Sequence, residues 1–157
     1  MATIGVYGFT RETFLAALRA ADVRQLLDVR QRRGVRGSDY AWANARRLQA
    51  TLAEAGIEYR HHRELAPTTE LRHLQYAEDA RQRVGKRERT RLAPAYAEGY
   101  AREILDRADL EPVFAGLPRE GLGALFCVER DPEACHRSLI AERLARKYRL
   151  RVVHLRP

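Results

Sequence analysis

The chain has 157 residues, of which 45% are hydrophobic, and it carries a formal net charge of +8 at pH 7. This length suits one hydrophobic core, so residues 1–157 are expected to form a single domain. The chain has no apolar run of membrane-spanning length, no basic and apolar leader, and only two cysteines, which together predict a cytoplasmic protein without a membrane partner.

The excess positive charge comes almost entirely from arginine. Only Lys86 and Lys147 among the 29 basic residues are lysines. Arginine forms bidentate hydrogen bonds with phosphate, and a net positive charge attracts polyanions. The composition therefore favours nucleic acid or a phosphorylated small molecule as the partner over no anionic partner at all.

Strand and helix patterns alternate along the chain. Apolar runs predict strands at residues 3–7, 26–29, 57–61, 122–128 and 150–155. Amphipathic spacing predicts a helix capped by Thr10, a helix at 43–55 that ends at Gly56, helical structure within 68–109 and at 112–117, and a helix that starts at Asp131-Pro132. Such alternation predicts an α/β protein with a mostly parallel sheet of about four to five strands and helices on both faces.

Reactive side chains cluster at the carboxyl ends of these strands, which share one edge in a parallel sheet, where ligands bind. The candidate catalytic residues at this edge are Asp28, Glu64, Glu129, His61, His136 and Cys135. The candidate substrate-binding residues are Gly8, Phe9, Thr10, Arg30, Arg32, Arg33, Arg36, Tyr40, Trp42, Cys127, Arg137 and Ser138. We expect these side chains to converge on one pocket.

Residues 122–137 are the most informative segment, because both cysteines lie within its strand, turn and helix start. Unpaired backbone N–H groups at a helix start favour an anion, and Arg137 adds donors there, unless it pairs with a nearby carboxylate and only fixes the turn. Cys135 could be a thiolate near neutral pH or a buried structural thiol. A zinc site from Cys127, Cys135, His136 and His61 or His62 is conceivable, but the spacing of the two cysteines is unusual for structural zinc, so we predict neither a metal nor a cofactor.

The carboxylates and the basic loop each allow two interpretations. Asp28, Glu129 and Glu64 could divide acid and base functions or stabilise an oxocarbenium-like centre, or they could only order loops through ion pairs. The arginines of residues 30–36, followed by Tyr40 and Trp42, suit phosphate contact and base stacking, although a solvated loop also explains them. The basic residues 83–91 are expected to form an exposed connector.

Together these residues resemble a bacterial family catalogued as domain of unknown function 488. The matching pieces are residues 3–8, Leu-Asp-Val-Arg at 27–30, residues 56–59 with Glu64-Leu65, and Cys127-x-Glu129 followed by Pro132 and Cys-His-Arg-Ser at 135–138. The resemblance spans nearly the whole chain and implies a compact α/β domain with a functional site at the shared residues. This chain departs from the family pattern at Gly34 and Gly37, where members often have prolines, and at Ala66-Pro67, where they often have two glycines.

The sequence predicts a protein that binds and processes a phosphate-bearing substrate, either nucleic acid or a nucleotide, by hydrolysis or by base or sugar processing. One alternative is a thiol enzyme or redox sensor centred on Cys135. Another is a non-catalytic module that binds nucleic acid or protein.

Overall fold

A parallel sheet of five strands organises the molecule, whose computed structural model describes all residues from 1 to 157. The strands, in chain order, are β1 (Ala2–Ile4), β2 (Val23–Asp28), β3 (Glu58–His61), β4 (Leu122–Phe126) and β5 (Val153–Leu155). Across the sheet the order is β3-β2-β4-β1-β5, and every neighbouring pair is parallel. The predicted α/β class and the parallel sheet are confirmed.

Six α-helices connect and cover the strands. They are α1 (Arg11–Ala20), α2 (Ala45–Glu54), α3 (Thr69–Gln82), α4 (Pro94–Tyr100), α5 (Glu111–Ala115) and α6 (His136–Tyr148). The connections through α1 and α2 run toward the β3 edge, whereas those through α3–α5 and α6 run toward the β5 edge. Because such crossovers are right-handed, the two groups of helices lie on opposite faces of the sheet. None of the helices combines the length and the apolar character needed to cross a membrane.

The topology creates a crevice between β2 and β4. These strands are neighbours in the sheet, but the chain leaves β2 toward one edge and leaves β4 toward the other. The segments that follow the two strands therefore separate above the carboxyl edge. A crevice of this kind is the usual ligand site in open α/β sheets.

Local sequence sets the ends of two helices as predicted. Thr10 and Thr13 form a capping box at the start of α1, in which the Thr13 N–H donates to Thr10 Oγ1 at 3.2 Å and the Thr10 N–H donates to Thr13 Oγ1 at 3.0 Å. Gly56, with φ of +69°, follows the end of α2 in the left-handed conformation that glycine adopts without strain.

β1 and β4 end two or more residues earlier than the apolar pattern predicts. β1 ends at Ile4, because the N–H groups of Val6 and Tyr7 both turn to the Val128 carbonyl oxygen, at 3.0 Å each. β4 ends at Phe126 rather than at Val128. The segments after both strands are thus drawn into the loop region at the carboxyl edge, close to the crevice.

The predicted helix start at Asp131 is wrong. The segment Pro132–Ala134 forms a short 3-10 turn, and Cys135 returns to an extended conformation with φ of −141° and ψ of 138°. α6 therefore begins at His136, with Cys135 as its N-cap residue. This delay places both the Cys135 thiol and the His136 imidazole at the first turn of α6.

The segment after β1 and the segment after β4 approach each other closely at Gly5. A Cβ atom on Gly5 would lie 1.9 Å from the carbonyl oxygen of Glu129. That oxygen is fixed, because it accepts a hydrogen bond of 2.7 Å from Arg137 Nη1. Only glycine allows this approach.

Gly5→Ala should lower the free energy of unfolding by about 1–3 kcal/mol, since the added methyl group overpacks a fixed backbone atom. Urea denaturation followed by circular dichroism measures this change. Gly34→Ala is the matched control, because the nearest atom to its added Cβ is Asn44 Oδ1 at 3.9 Å. Equal stability of Gly5→Ala and wild-type protein would contradict the close approach.

Candidate functional site

A cavity of about 430 Å³ opens at the carboxyl ends of β2 and β4. Its walls come from residues 30–36 after β2, residues 127–136 after β4, the helix α3, and the segment from Lys86 to Leu92. The volume lies in the range of sites that bind small molecules. The crevice predicted by the topology is therefore also the site where seven of the candidate residues meet.

Two thiols and an imidazole lie together at the floor of the cavity. His136 Nδ1 is 3.8 Å from Cys127 Sγ and 3.9 Å from Cys135 Sγ. All three ligand atoms lie within 4.8 Å of one another, and all three residues are buried. The His136 Nε2–H donates to the Val29 carbonyl oxygen at 3.0 Å, which leaves Nδ1 directed at the thiols.

The two thiols differ in their electrostatic environment. Burial by itself would raise the pKa of Cys135, but the hydrogen bond with Cys127 and the charges of Arg137 and His136 lower that pKa well below its ordinary value. Burial and the neighbouring Cys135 raise the pKa of Cys127 well above its ordinary value. Burial opposes the charged form of His136, yet Cys135 raises the pKa of this imidazole. The floor therefore favours the charged form of the Cys135 thiol and the neutral form of the Cys127 thiol.

Glu129 lies beside this cluster on the cavity wall. The Cys127 thiol donates to Glu129 Oε2 at 3.4 Å, and the carboxylate is also 3.6 Å from both Lys86 Nζ and Arg89 Nη1. Burial by itself would lower the pKa of Lys86, but Glu129, together with Tyr7, Cys127 and Tyr76, raises that pKa. The Glu129 carboxylate thus lies between two basic side chains at the floor.

The segment expected to be an exposed connector contributes to the site, so that expectation is wrong at Arg89. Only 7% of Arg89 is exposed, and its guanidinium forms an ion pair with Asp79 on α3 in addition to its approach to Glu129. Asp79 also accepts from the buried Gln75 at 2.8 Å. The pairing joins residues ten positions apart across a non-helical loop, and no periodic pattern in the sequence signals it.

Three arginines at the cavity, Arg32, Arg36 and Arg72, form no ion pair with any carboxylate, and we call them the free arginines. Arg72 donates to Gln31 Oε1 at 2.6 Å and to the Tyr76 hydroxyl, with its guanidinium carbon 5.4 Å from the Tyr76 ring centre. The cavity therefore carries positive charge that no carboxylate neutralises.

Asp28 belongs to the core rather than to the cavity. Its side chain is 0% exposed, and it accepts from Arg30 Nε at 2.8 Å, Arg30 Nη2 at 2.7 Å and the Tyr59 hydroxyl at 2.6 Å. Arg30 in turn donates to the Ala43 carbonyl at 2.9 Å and lies 4.5 Å from the Phe126 ring centre. The pair connects the end of β2 to the loop that follows it.

Arg137 also serves the scaffold, so the expectation that it holds an anion is not met. It is 0% exposed, and its two terminal nitrogens donate to the carbonyl oxygens of Glu129 at 2.7 Å and Arg130 at 2.9 Å. Its guanidinium is directed at backbone rather than at the cavity. The alternative interpretation, that it only fixes the turn, describes its position, although its partners are carbonyls.

Most other predicted residues lie outside the cavity wall. Glu64 is exposed and contacts His62 at 2.7 Å, and His61 Nε2 contacts the Arg30 carbonyl at 3.1 Å. Trp42 packs against Phe14, with ring centres 4.9 Å apart. The others outside the wall are Gly8, Phe9, Thr10, Arg33, Tyr40 and Ser138.

The cavity brings together seven predicted residues and several that the sequence analysis missed. The predicted ones are Arg30, Arg32, Arg36, Cys127, Glu129, Cys135 and His136. The missed ones include Tyr7, Arg72, Gln75, Tyr76, Lys86, Arg89 and Tyr96. The missed residues come mainly from α3 and from the segment that connects α3 to α4. The free arginine Arg72 had no motif around it that could have distinguished it.

Comparison with known families gives one match, to a family described as Domain of unknown function DUF488, over residues 10–144. The chain belongs to this family. The matched range includes β2, β4 and the first turn of α6, and therefore nearly all of the cavity. Searches of curated proteins and of solved structures gave no match.

Asp28→Asn should lower the free energy of unfolding by about 3–5 kcal/mol, because an amide nitrogen cannot accept from Arg30 and leaves that buried charge without its partner. Urea denaturation measures the change. Asp22→Asn is the matched control, since the Asp22–Arg24 pair is more than half exposed on both sides and should contribute little. If Asp28→Asn were as stable as wild type, the scaffold function of this carboxylate would be excluded.

Proposed function

We propose that the cavity binds one phosphorylated nucleoside unit, either as a free nucleotide or as a single nucleotide of a strand, and that the groups at its floor process it. The observation that carries this proposal is the set of free arginines, Arg32, Arg36 and Arg72, around a nucleotide-sized cavity. The expected reaction is hydrolysis or processing of the base or sugar.

The contrast between paired and unpaired arginines supports an anionic ligand. Arg30 and Arg89 are buried and each forms an ion pair, with Asp28 and Asp79 respectively. The three free arginines lack such partners although they line the same cavity. A phosphate group supplies a charged acceptor for these guanidiniums, which have no carboxylate partner in the protein, and charge-assisted hydrogen bonds of this kind are strong.

Tyr76 supports a ligand that also carries a ring. Its side chain lies on the cavity wall beside Arg72 and is 37% exposed, whereas the wall tyrosines Tyr7 and Tyr96 are almost fully buried. Stacking of a base on an accessible aromatic ring is a common mode of single-nucleotide binding. An inorganic phosphate would use the arginines but not this ring.

The floor carries the groups needed for chemistry on such a ligand. Glu129, Cys135 and His136 line the cavity and lie close to one another. A carboxylate and an imidazole at one site can take and return a proton during hydrolysis. Because Asp28, Glu64 and His61 do not line the cavity, we assign the chemistry to the three floor residues alone.

Charge-removing variants test the proposal. Arg36→Gln and Arg72→Gln should each weaken binding of a nucleoside monophosphate by about tenfold or more, since each removes a charge-assisted hydrogen bond. Isothermal titration calorimetry at low salt measures the affinity. Arg146→Gln is the matched control, because it removes one exposed charge at the far end of α6 and should bind as wild type does.

A second arm distinguishes a free nucleotide from a strand. Fluorescence anisotropy with short single-stranded DNA and RNA, measured at several salt concentrations, shows a steep salt dependence if the ligand is a strand that makes several phosphate contacts. Tighter binding of the monophosphate than of either strand would favour the free nucleotide. Failure of all three probes to bind at low salt would overturn the proposal.

A further inference from the structure

We propose that Cys127, Cys135 and His136 bind a zinc ion through two sulfurs and Nδ1, with a fourth position open to the cavity. The donor set is typical of zinc, for which thiolate and imidazole ligands are the usual protein donors. The inference departs from the expectation drawn from cysteine spacing, because the 3-10 turn and the extended Cys135 bring the two thiols together in a way that spacing does not reveal.

The distances between the donor atoms fit a tetrahedral ion. Zinc bonds of about 2.3 Å to sulfur and 2.0–2.1 Å to nitrogen require donor atoms about 3.6–3.8 Å apart. The two sulfur–nitrogen distances here are 3.8 and 3.9 Å, and no pair in the cluster exceeds 4.8 Å. Small side-chain adjustments therefore suffice to close the site around an ion.

The imidazole is oriented as a metal ligand is. A carbonyl oxygen can only accept a hydrogen bond, so the 3.0 Å contact with Val29 requires the proton to be on Nε2. In the neutral ring, the lone pair is then on Nδ1, which is directed at both sulfurs. Ligand histidines usually donate their second N–H to a carbonyl or a carboxylate in this manner.

Glu129 is placed beside the ion rather than on it. Its carboxylate is already shared by the Lys86 ammonium and the Arg89 guanidinium, at 3.6 Å each, although Oε2 lies 3.4 Å from Cys127 Sγ. The two positive groups hold the carboxylate at the cavity wall. Three protein ligands and an open position are the arrangement of catalytic zinc sites.

The open position would let the zinc take part in the proposed reaction. This catalytic step rests on the proposed function, whereas the binding of zinc does not rest on it. A water bound there would lose a proton to Glu129 and remain on zinc as hydroxide. The hydroxide oxygen would bond to the substrate, the bond to the leaving group would break, and Glu129 would return the proton to that group. The sum is addition of one water across the substrate bond, which is hydrolysis.

Metal analysis of the untagged protein tests the inference. Protein purified with a phosphine reductant and without chelator should contain one zinc per chain by inductively coupled plasma mass spectrometry. Cys135→Ser and His136→Gln should each lower zinc affinity at least tenfold in a competition assay with a chromogenic chelator. His73→Gln, which changes an exposed histidine on α3, is the matched control and should bind zinc as wild type does.

A second measurement uses the wild-type protein, so its result does not depend on whether variants of the buried ligand residues fold. Cobalt(II) added to metal-free wild-type protein should give thiolate-to-cobalt charge-transfer absorption with the d–d bands of a tetrahedral site. Glu129→Gln should keep both the zinc content and this spectrum, because Glu129 is not a ligand. Loss of zinc in Glu129→Gln would overturn the open fourth position.

Two other results would overturn the site as a whole. One is wild-type protein that neither contains zinc nor binds added zinc or cobalt under reducing conditions. The other is zinc that remains at full affinity in Cys135→Ser, which would place it elsewhere on the surface. Zinc binding without nucleotide binding would remove the proposed function and leave the metal site intact, so the two failures are distinguishable.

Discussion

The hydrogen bond from His136 Nε2 to the Val29 carbonyl oxygen connects the first residue of α6 to the end of β2, across the crevice of the sheet. It fixes the imidazole with Nδ1 toward Cys127 and Cys135. The next residue, Arg137, holds the carbonyl oxygens of Glu129 and Arg130. Two successive residues of one helix thus position both walls of the crevice, and the chemistry of the floor depends on where that helix begins.

The charged residues in and next to the cavity divide into two groups, one paired and one unpaired. The Asp28–Arg30 and Asp79–Arg89 pairs connect loops to the sheet and to α3. A buried ion pair is costly to disrupt, because the remaining charge has lost both its partner and its hydration. The free arginines at the cavity carry no such structural task, so they are the charges available to a ligand.

The carboxylates next to the cavity are already paired with basic side chains. Asp28 forms an ion pair with Arg30, and Asp79 forms one with Arg89. The Glu129 carboxylate is shared by Lys86 and Arg89. The free arginines are left as positive charges without carboxylate partners at one concave site, a shape that focuses the field of such charges. Field focusing of this kind raises the local concentration of an anionic ligand.

The sequence by itself determined the alternation of strands and helices, the parallel sheet, and the helix signals at Thr10 and Gly56. These properties follow from short-range patterns, because apolar periodicity and helix capping depend on residues that are neighbours along the chain. Only the tertiary structure decided that Asp28 is a scaffold group, that Trp42 packs on α1, and that Arg72, Lys86 and Arg89 complete the cavity wall. Those outcomes depend on contacts between segments far apart in the chain. The convergence of Cys127, Cys135 and His136 depends on a 3-10 turn and one extended residue, which residue spacing alone does not encode.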